Sequence, residues 1–258
     1  MSPFAAIADA YRRTRKPRDI LWNRFVARPL AAVLLVPLQR SPLTPNQITF
    51  ASLLVFVAAA AMLVALPGHR GLLAAVAVIE LSYVLDCVDG QLARLRGTST
   101  PVGAHLDFLM DELKAFMLVA ACGVRLWRGG AGDPRWLLEG LLGLVAVAAA
   151  ISLTTFIRRP EYVAATSAAP PPSAGDYGQG FAAKTGSGED AAPPHRSPLA
   201  LVEGLGRFLI HYPSYLVFVA IADRLDIFLH IYVAVNAAYA ARAFLGVARK
   251  LGAGRARS

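Results

Sequence analysis

Apolar residues gather along this chain into long runs rather than the alternation of half-buried strands or the one-sided stripe of a soluble helix. A helix that crosses a bilayer needs about 20 mostly apolar residues. Six segments are of that kind, at roughly 45–66, 71–96, 103–125, 135–157, 199–222 and 226–247. The first opens on Thr44-Pro45, a capping residue followed by proline in the first turn, where its missing N–H costs nothing, and it stops at Pro67-Gly68. Ahead of it, residues 18–40 mix Arg24, Arg28 and Arg40 with Ile20, Leu21, Trp22, Phe25, Val26 and Leu30. That mixture suits a helix lying at the interface, arginines towards headgroups and Trp22 at the boundary. The pattern predicts an all-α integral membrane protein of six transmembrane helices with an N-terminal interfacial helix.

Polar stretches divide the chain. Residues 1–44 form a cytoplasmic N-terminus carrying the interfacial amphipathic helix, and no cleavable signal peptide is expected in the basic residues 1–18. The six helices occupy 45–158 and 199–249. Between them, 159–198 contains Pro170-Pro171-Pro172, Pro193-Pro194 and many glycines and serines, and reads as a disordered cytoplasmic linker. Residues 250–258 are a basic tail.

Composition supports the membrane reading. Hydrophobic residues make up 56% and charged residues 17%, against roughly 45–50% and about 25% in soluble domains. Mean hydropathy is +0.49. Two cysteines, Cys87 and Cys122, both in apolar stretches, exclude a disulfide scaffold. The net charge of +9 is read as basic cytoplasmic loops facing anionic headgroups rather than as nucleic-acid binding. With the N-terminus inside, only Arg70, Arg125, Arg128, Arg135 and Arg224 fall outside, so both termini are expected in the cytoplasm.

The second and third spans carry Asp86, Asp89, Asp107 and Asp111. A carboxylate at a helix centre costs about 2.5–3.5 kcal/mol on the most lenient insertion scale, so four need compensation. At helical pitch Asp89 lies about 60° from Asp86, and Asp111 about 40° from Asp107, so each pair occupies one face. A hairpin through 97–102 would let the faces converge near their cytoplasmic ends. Four converging acids repel unless cations intervene, and two divalent ions would neutralise them. Oxygen ligation selects Mg²⁺, Mn²⁺ or Ca²⁺ over zinc, and paired metals are a recurrent solution for displacement at phosphorus. Gly90 and Ala93 remove bulk on the arc of Asp86 and Asp89, Arg94 stands where it would meet a phosphate, and Gly103 opens space one turn before Asp107. Lys114 is placed to pair with a carboxylate or contact substrate, whereas Glu112 points elsewhere. A buried ionic network that merely fixes packing is the bland alternative, and intramembrane acids are functional by default.

These residues resemble a known family. Asp86-Cys87-Val88-Asp89-Gly90-Gln91-Leu92-Ala93-Arg94, then Gly103, Asp107 and Asp111, match the CDP-alcohol phosphotransferase signature D-x₂-D-G-x₂-A-R-x₈-G-x₃-D-x₃-D at every specified position. Pro45-Asn46-Gln47-Ile48-Thr49 is similar to the family's segment at the start of the first span. The resemblance implies transfer of a phosphoryl-alcohol unit from a CDP-alcohol donor to an acceptor hydroxyl with release of CMP. It also implies that Asp86, Asp89, Asp107 and Asp111 hold two divalent cations, Mg²⁺ or Mn²⁺, at a cytoplasm-facing site. By the same likeness, Asp86, Gly90, Ala93, Arg94, Gly103 and Asp107 form the cytidine diphosphate site, Asp111 is the general base, and the protein is a homodimer in the bilayer.

Acceptor choice is less specified. Arg158 and Arg159, at the cytoplasmic end of the fourth span, with Arg207 before the fifth, stand where family members read an acceptor phosphate, though positive-inside topology alone would also place arginines there. The segment from Lys16-Pro17-Arg18-Asp19 through Arg28-Pro29-Leu30 to Ser41-Pro42-Leu43-Thr44 resembles the membrane domain of di-myo-inositol-phosphate-phosphate synthases, which join CDP-inositol to inositol phosphate. The alternatives are a phospholipid synthase using CDP-diacylglycerol, a non-catalytic relative, and a divalent cation transporter; the strict signature disfavours the last two. His69, His105, His195, His211 and His230 are scattered and expected to pack or lie in loops, and Tyr212 and Tyr215 are expected to anchor an interface.

Overall fold

A computed structural model describes residues 2–14, 19–166 and 208–253. They form α1 (Pro3–Thr14), a π-helical turn (Asn23–Ala27), α2 (Arg28–Leu38), α3 (Pro45–Ala65), α4 (Gly68–Arg96), α5 (Pro101–Gly129), α6 (Arg135–Ile157), α7 (Pro160–Thr166), α8 (Pro213–Ile221) and α9 (Leu225–Ala253). There is no strand among the described residues.

Helix starts follow local chemistry. Thr44 accepts from the Gln47 amide and Gln47 returns the bond to the Thr44 N–H, a capping box with Pro45 behind it. Thr100 caps α5 in the same way through the Gly103 amide at 3.0 Å, again with proline next. Between these helices, α4 ends on Gly97 at φ +65°, with Thr98 N–H bonded to Ala93 O at 2.9 Å and Gly97 N–H to Arg94 O at 3.3 Å. This left-handed closure turns the chain sharply and returns α5 along α4. Arginines tie down the other turns. Arg96 donates to the carbonyls of Leu38, Gln39, Ser41 and Leu43, and Arg125 donates to those of Leu63, Leu66 and Gly68.

Among the described residues, four helices are long and apolar enough to cross a membrane: Pro45–Ala65, Gly68–Arg96, Arg135–Ile157 and Leu225–Gly252. The protein is therefore an all-helical, multi-pass membrane protein. Of the two further expected spans, α5 has the length but carries Asp107, Asp111, Glu112, Lys114, Arg125 and Arg128. The other, expected over 199–222, shows the nine-residue α8, with 199–207 outside the described residues.

Burial is arranged in two apolar clusters with polar side chains at their junction. Phe56, Leu63, Leu72, Ile79, Leu118 and Phe228 belong to one; Ala31, Leu35, Ile48, Val84, Val88 and Leu92 belong to the other. On α3, Thr49 and Ser52 fall between Ile48 and Phe56; on α4, Ser82 falls between Ile79 and Val84, and all three are buried. This layer is where the acids of α4 and α5 enter.

Several expectations change. Where an interfacial helix is expected over 18–40, the described residues 19–40 contain a π-turn and then α2, whose Ala31, Ala32 and Leu35 are buried in the bundle. Arg28, expected at headgroups, is buried and paired with Asp19, and Trp22 donates to Glu80 Oε2 at 3.3 Å. An outer edge of Leu21, Phe25, Leu30 and Val33 stays exposed. Helix α1 was not anticipated. The linker expected from residue 159 begins instead with α7, and its remainder, 167–198, lies outside the described residues. Tyr212 and Tyr215 face inward: Tyr212 packs on Phe56 and Tyr83, and Tyr215 on Phe228, because α8 is drawn into the bundle.

Candidate active site

The C-terminal half of α4 carries Asp86, Asp89, Gly90, Ala93 and Arg94, and the N-terminal half of α5 carries Gly103, Asp107 and Asp111. The tight turn at Gly97 sets these halves side by side. One carboxylate oxygen from each of Asp86, Asp89 and Asp107 then lies within 4.8 Å of the others. Asp111 is outside that group and joins it through Lys114, whose ammonium donates to Asp86 Oδ1 and stands 3.6 Å from Asp111 Oδ1. Exposure separates them further: the Asp111 side chain is 40% exposed, that of Asp86 11%, and Lys114 is fully buried.

Helix α3 supplies hydroxyls. Thr49 Oγ1 donates to Asp89 Oδ2 at 2.5 Å, and Ser52 Oγ to Asp86 Oδ1 at 3.4 Å. Within this group of side chains two buried polar atoms, Asp107 Oδ1 and Arg94 Nη2, have no hydrogen-bond partner among the described residues. Buried polar atoms are nearly always satisfied, so this pair marks where a cation and an anion would be received. Three converging carboxylates, one with an oxygen left over, fit a hard divalent cation held by oxygen. Arg94 Nε donates to Thr14 O at 3.2 Å, which tethers the guanidinium to the end of α1. A methyl group on Gly90 would stand 3.3 Å from Arg94 Nη1, so glycine leaves the guanidinium its room. Gly103 adjoins Asn46 Oδ1 at the start of α3.

The acceptor arginines are placed unevenly. The Arg158 guanidinium lies 5.9 Å from the ring centre of Phe108, the residue after Asp107, so it reaches the level of the acids. Arg159 is exposed, and Arg207 is outside the described residues.

Sequence reasoning missed three contributors. Thr49 and Ser52 were legible as hydroxyls one turn apart in an otherwise apolar helix. Tyr83, one turn before Asp86, donates to Asn23 Oδ1 at 2.5 Å and meets His211 Nε2 at 2.7 Å, with His211 Nδ1 2.5 Å from Ser214 Oγ. It joins the N-terminal segment to α8 beside the acids, a long-range link that no local pattern reveals.

Fold and site thus define a multi-pass helical membrane protein with a buried acidic centre where two helices meet. The profile of the CDP-alcohol phosphatidyltransferase family matches residues 42–176, so the chain belongs to that family. It is also 30% identical over 104 residues to the bifunctional IPC transferase and DIPP synthase of Aquifex aeolicus (strain VF5). That alignment covers 40% of this chain and 23% of the relative, so the chain spans about a quarter of the curated protein it matches.

Proposed function

We propose that this enzyme moves a phosphoryl-alcohol unit from a CDP-alcohol to an acceptor hydroxyl and releases CMP at the cytoplasmic face. The observation that carries the reading is the convergence of Asp86, Asp89 and Asp107 beside Arg94, in a chain that holds every residue of the family signature. Asp86, Gly90, Ala93, Arg94, Gly103 and Asp107 bind the cytidine diphosphate, with the spare Arg94 Nη2 directed to a phosphate oxygen. The four aspartates hold two divalent cations, Mg²⁺ or Mn²⁺. Such ions, when bound, neutralise the diphosphate and make CMP a better leaving group.

Asp111, more exposed than Asp86 on the other side of Lys114, faces the incoming acceptor and takes its proton. The acceptor oxygen forms a bond to the phosphorus that bears the alcohol, the bond from that phosphorus to the CMP oxygen breaks, and the proton passes from Asp111 to water. Arg158, with Arg159 and Arg207, binds a phosphate on the acceptor. On the likeness to a DIPP synthase, the donor is CDP-inositol and the acceptor a polyol phosphate. A phospholipid synthase using CDP-diacylglycerol with inositol phosphate or glycerol phosphate is the second reading, favoured by the bilayer setting of the site. In keeping with the family resemblance, the enzyme has six spans with both termini cytoplasmic and works as a homodimer.

The test is incubation of purified full-length protein with Mg²⁺ or Mn²⁺ and a panel of CDP-alcohols and acceptors, scoring CMP and product by mass spectrometry. CMP release that depends on both donor and acceptor is expected. No release with any pair would defeat the proposal, and product identity decides between the two donors.

A further inference from the structure

Lys114 is the one basic side chain found inside the acid group among the described residues, and the family reaction as proposed above gives it no task. It is fully buried, it donates to Asp86, and it lies 3.6 Å from Asp111. It therefore spans the gap between the group of Asp86, Asp89 and Asp107 and the fourth acid. That gap is where a second divalent ion would have to sit if all four aspartates are ligands. We propose that Lys114 holds the second cation position in the resting enzyme and gives it up only when a nucleoside diphosphate enters, so that metal loading is sequential. The inference rests on the function proposed above and deepens it.

Charge supplies the reason. Asp86, Asp89, Asp107 and Asp111 together carry four negative charges, and Lys114 offsets one of them. One divalent ion at the group of three leaves the centre close to balance, with a single negative charge remaining. A second ion would make it net positive inside a low-dielectric bundle, an unfavourable state to create. A nucleoside diphosphate brings the negative charge that reverses this. The ammonium already touches two acids, so it moves off Asp86 by turning towards Asp111 or a phosphate oxygen without leaving its pocket. Lys114 is thus a positioning residue: it keeps Asp86 and Asp111 apart and aligned before the substrate arrives.

Equilibrium dialysis of the full-length protein in detergent against Mn²⁺, with and without CDP, tests this. The wild type is expected to hold one ion per chain without CDP and two with it. Lys114→Met, similar in length but uncharged, is expected to hold two in both conditions, with gel filtration and a thermal melt showing that it folds. Two ions on the wild type without CDP, or one ion in both conditions, would overturn the proposal; so would a folded Lys114→Met that still takes a single ion without CDP. If the variant fails to fold, the two wild-type measurements decide alone. An enzyme that holds no ion in any condition would instead overturn the functional reading on which this one stands.

Discussion

Asp111 and Asp89 illustrate how four acids of one type come to differ at the scale of single residues. Asp89 is buried and takes the Thr49 hydroxyl, so its geometry is set before any ligand enters. Asp111 is open on one side and is paired with Lys114 among the described residues, which leaves its open side to meet an acceptor. Asp111→Asn keeps the shape and removes the basicity. Turnover is expected to fall by about 10²–10⁴-fold, the usual contribution of a general base, while CDP binding by calorimetry stays within a few-fold of the wild type. Near-normal turnover would remove the base assignment. Thr49→Val, nearly isosteric, deprives Asp89 of a hydrogen bond to a charged group that is worth about 1.5–3 kcal/mol. It should lower both the melting temperature and the apparent affinity for Mg²⁺; a change in neither would mean that Thr49 plays no part in shaping the site.

At the scale of elements, two glycines decide how helices meet. Gly97 has φ +65° and closes α4 so that Arg94 and Gly103 are brought to one end of the hairpin. Alanine there would cost about 1–2 kcal/mol in the left-handed region. Gly97→Ala should therefore destabilise the protein in thermal melts and reduce CDP binding together, since the same turn sets both; a variant as stable as the wild type would show that the turn relaxes elsewhere. Gly123 lies at the crossing of α5 and α6, where an added methyl would stand 3.0 Å from Gly140 Cα and 3.0 Å from the Trp136 carbonyl. Backbone cannot move aside as a side chain can, so close contact of small residues fixes this crossing.

Much of this level was legible in the sequence. Thr44-Pro45 marks the start of α3, Thr100-Pro101 stands at the start of α5, and Asp86, Asp89 and Asp107 converge where α4 and α5 run side by side, with Asp111 set apart beyond Lys114. What escaped was set by contacts between elements. Arg28 reads as a headgroup arginine until Asp19 is known to fold back onto it, and Tyr212 reads as an interfacial anchor until α8 turns it onto Phe56. Helix α1 left a trace, since Ile7, Ala10, Tyr11 and Thr14 share one face, but its run is short beside the long apolar segments that follow. Lys114 was placed near the acids by angle alone; that it chooses Asp86 on another helix is a tertiary fact.

For the whole molecule, the acid centre sits between two apolar clusters that belong to different parts of the bundle. Stability and metal binding are therefore linked. Without cations, four carboxylates face one another at the junction with only the Lys114 ammonium among them, and some of that repulsion is relieved by loosening α5 from α4. A ligand that binds the folded state alone adds stability by mass action, about 2.7 kcal/mol when present at a hundred times its dissociation constant. Stripping the metal with EDTA should lower the melting temperature by several degrees, and returning Mg²⁺ or Mn²⁺ should restore it. Asp107→Asn separates this from a general effect of ionic strength. It removes one of the three converging carboxylates and weakens cation binding, so it should melt at nearly the same temperature with and without Mg²⁺. A wild-type melting curve indifferent to EDTA would mean that the acids are held together by Lys114, Thr49 and Ser52 alone, and the two-helix centre would then be a packing device rather than a metal site.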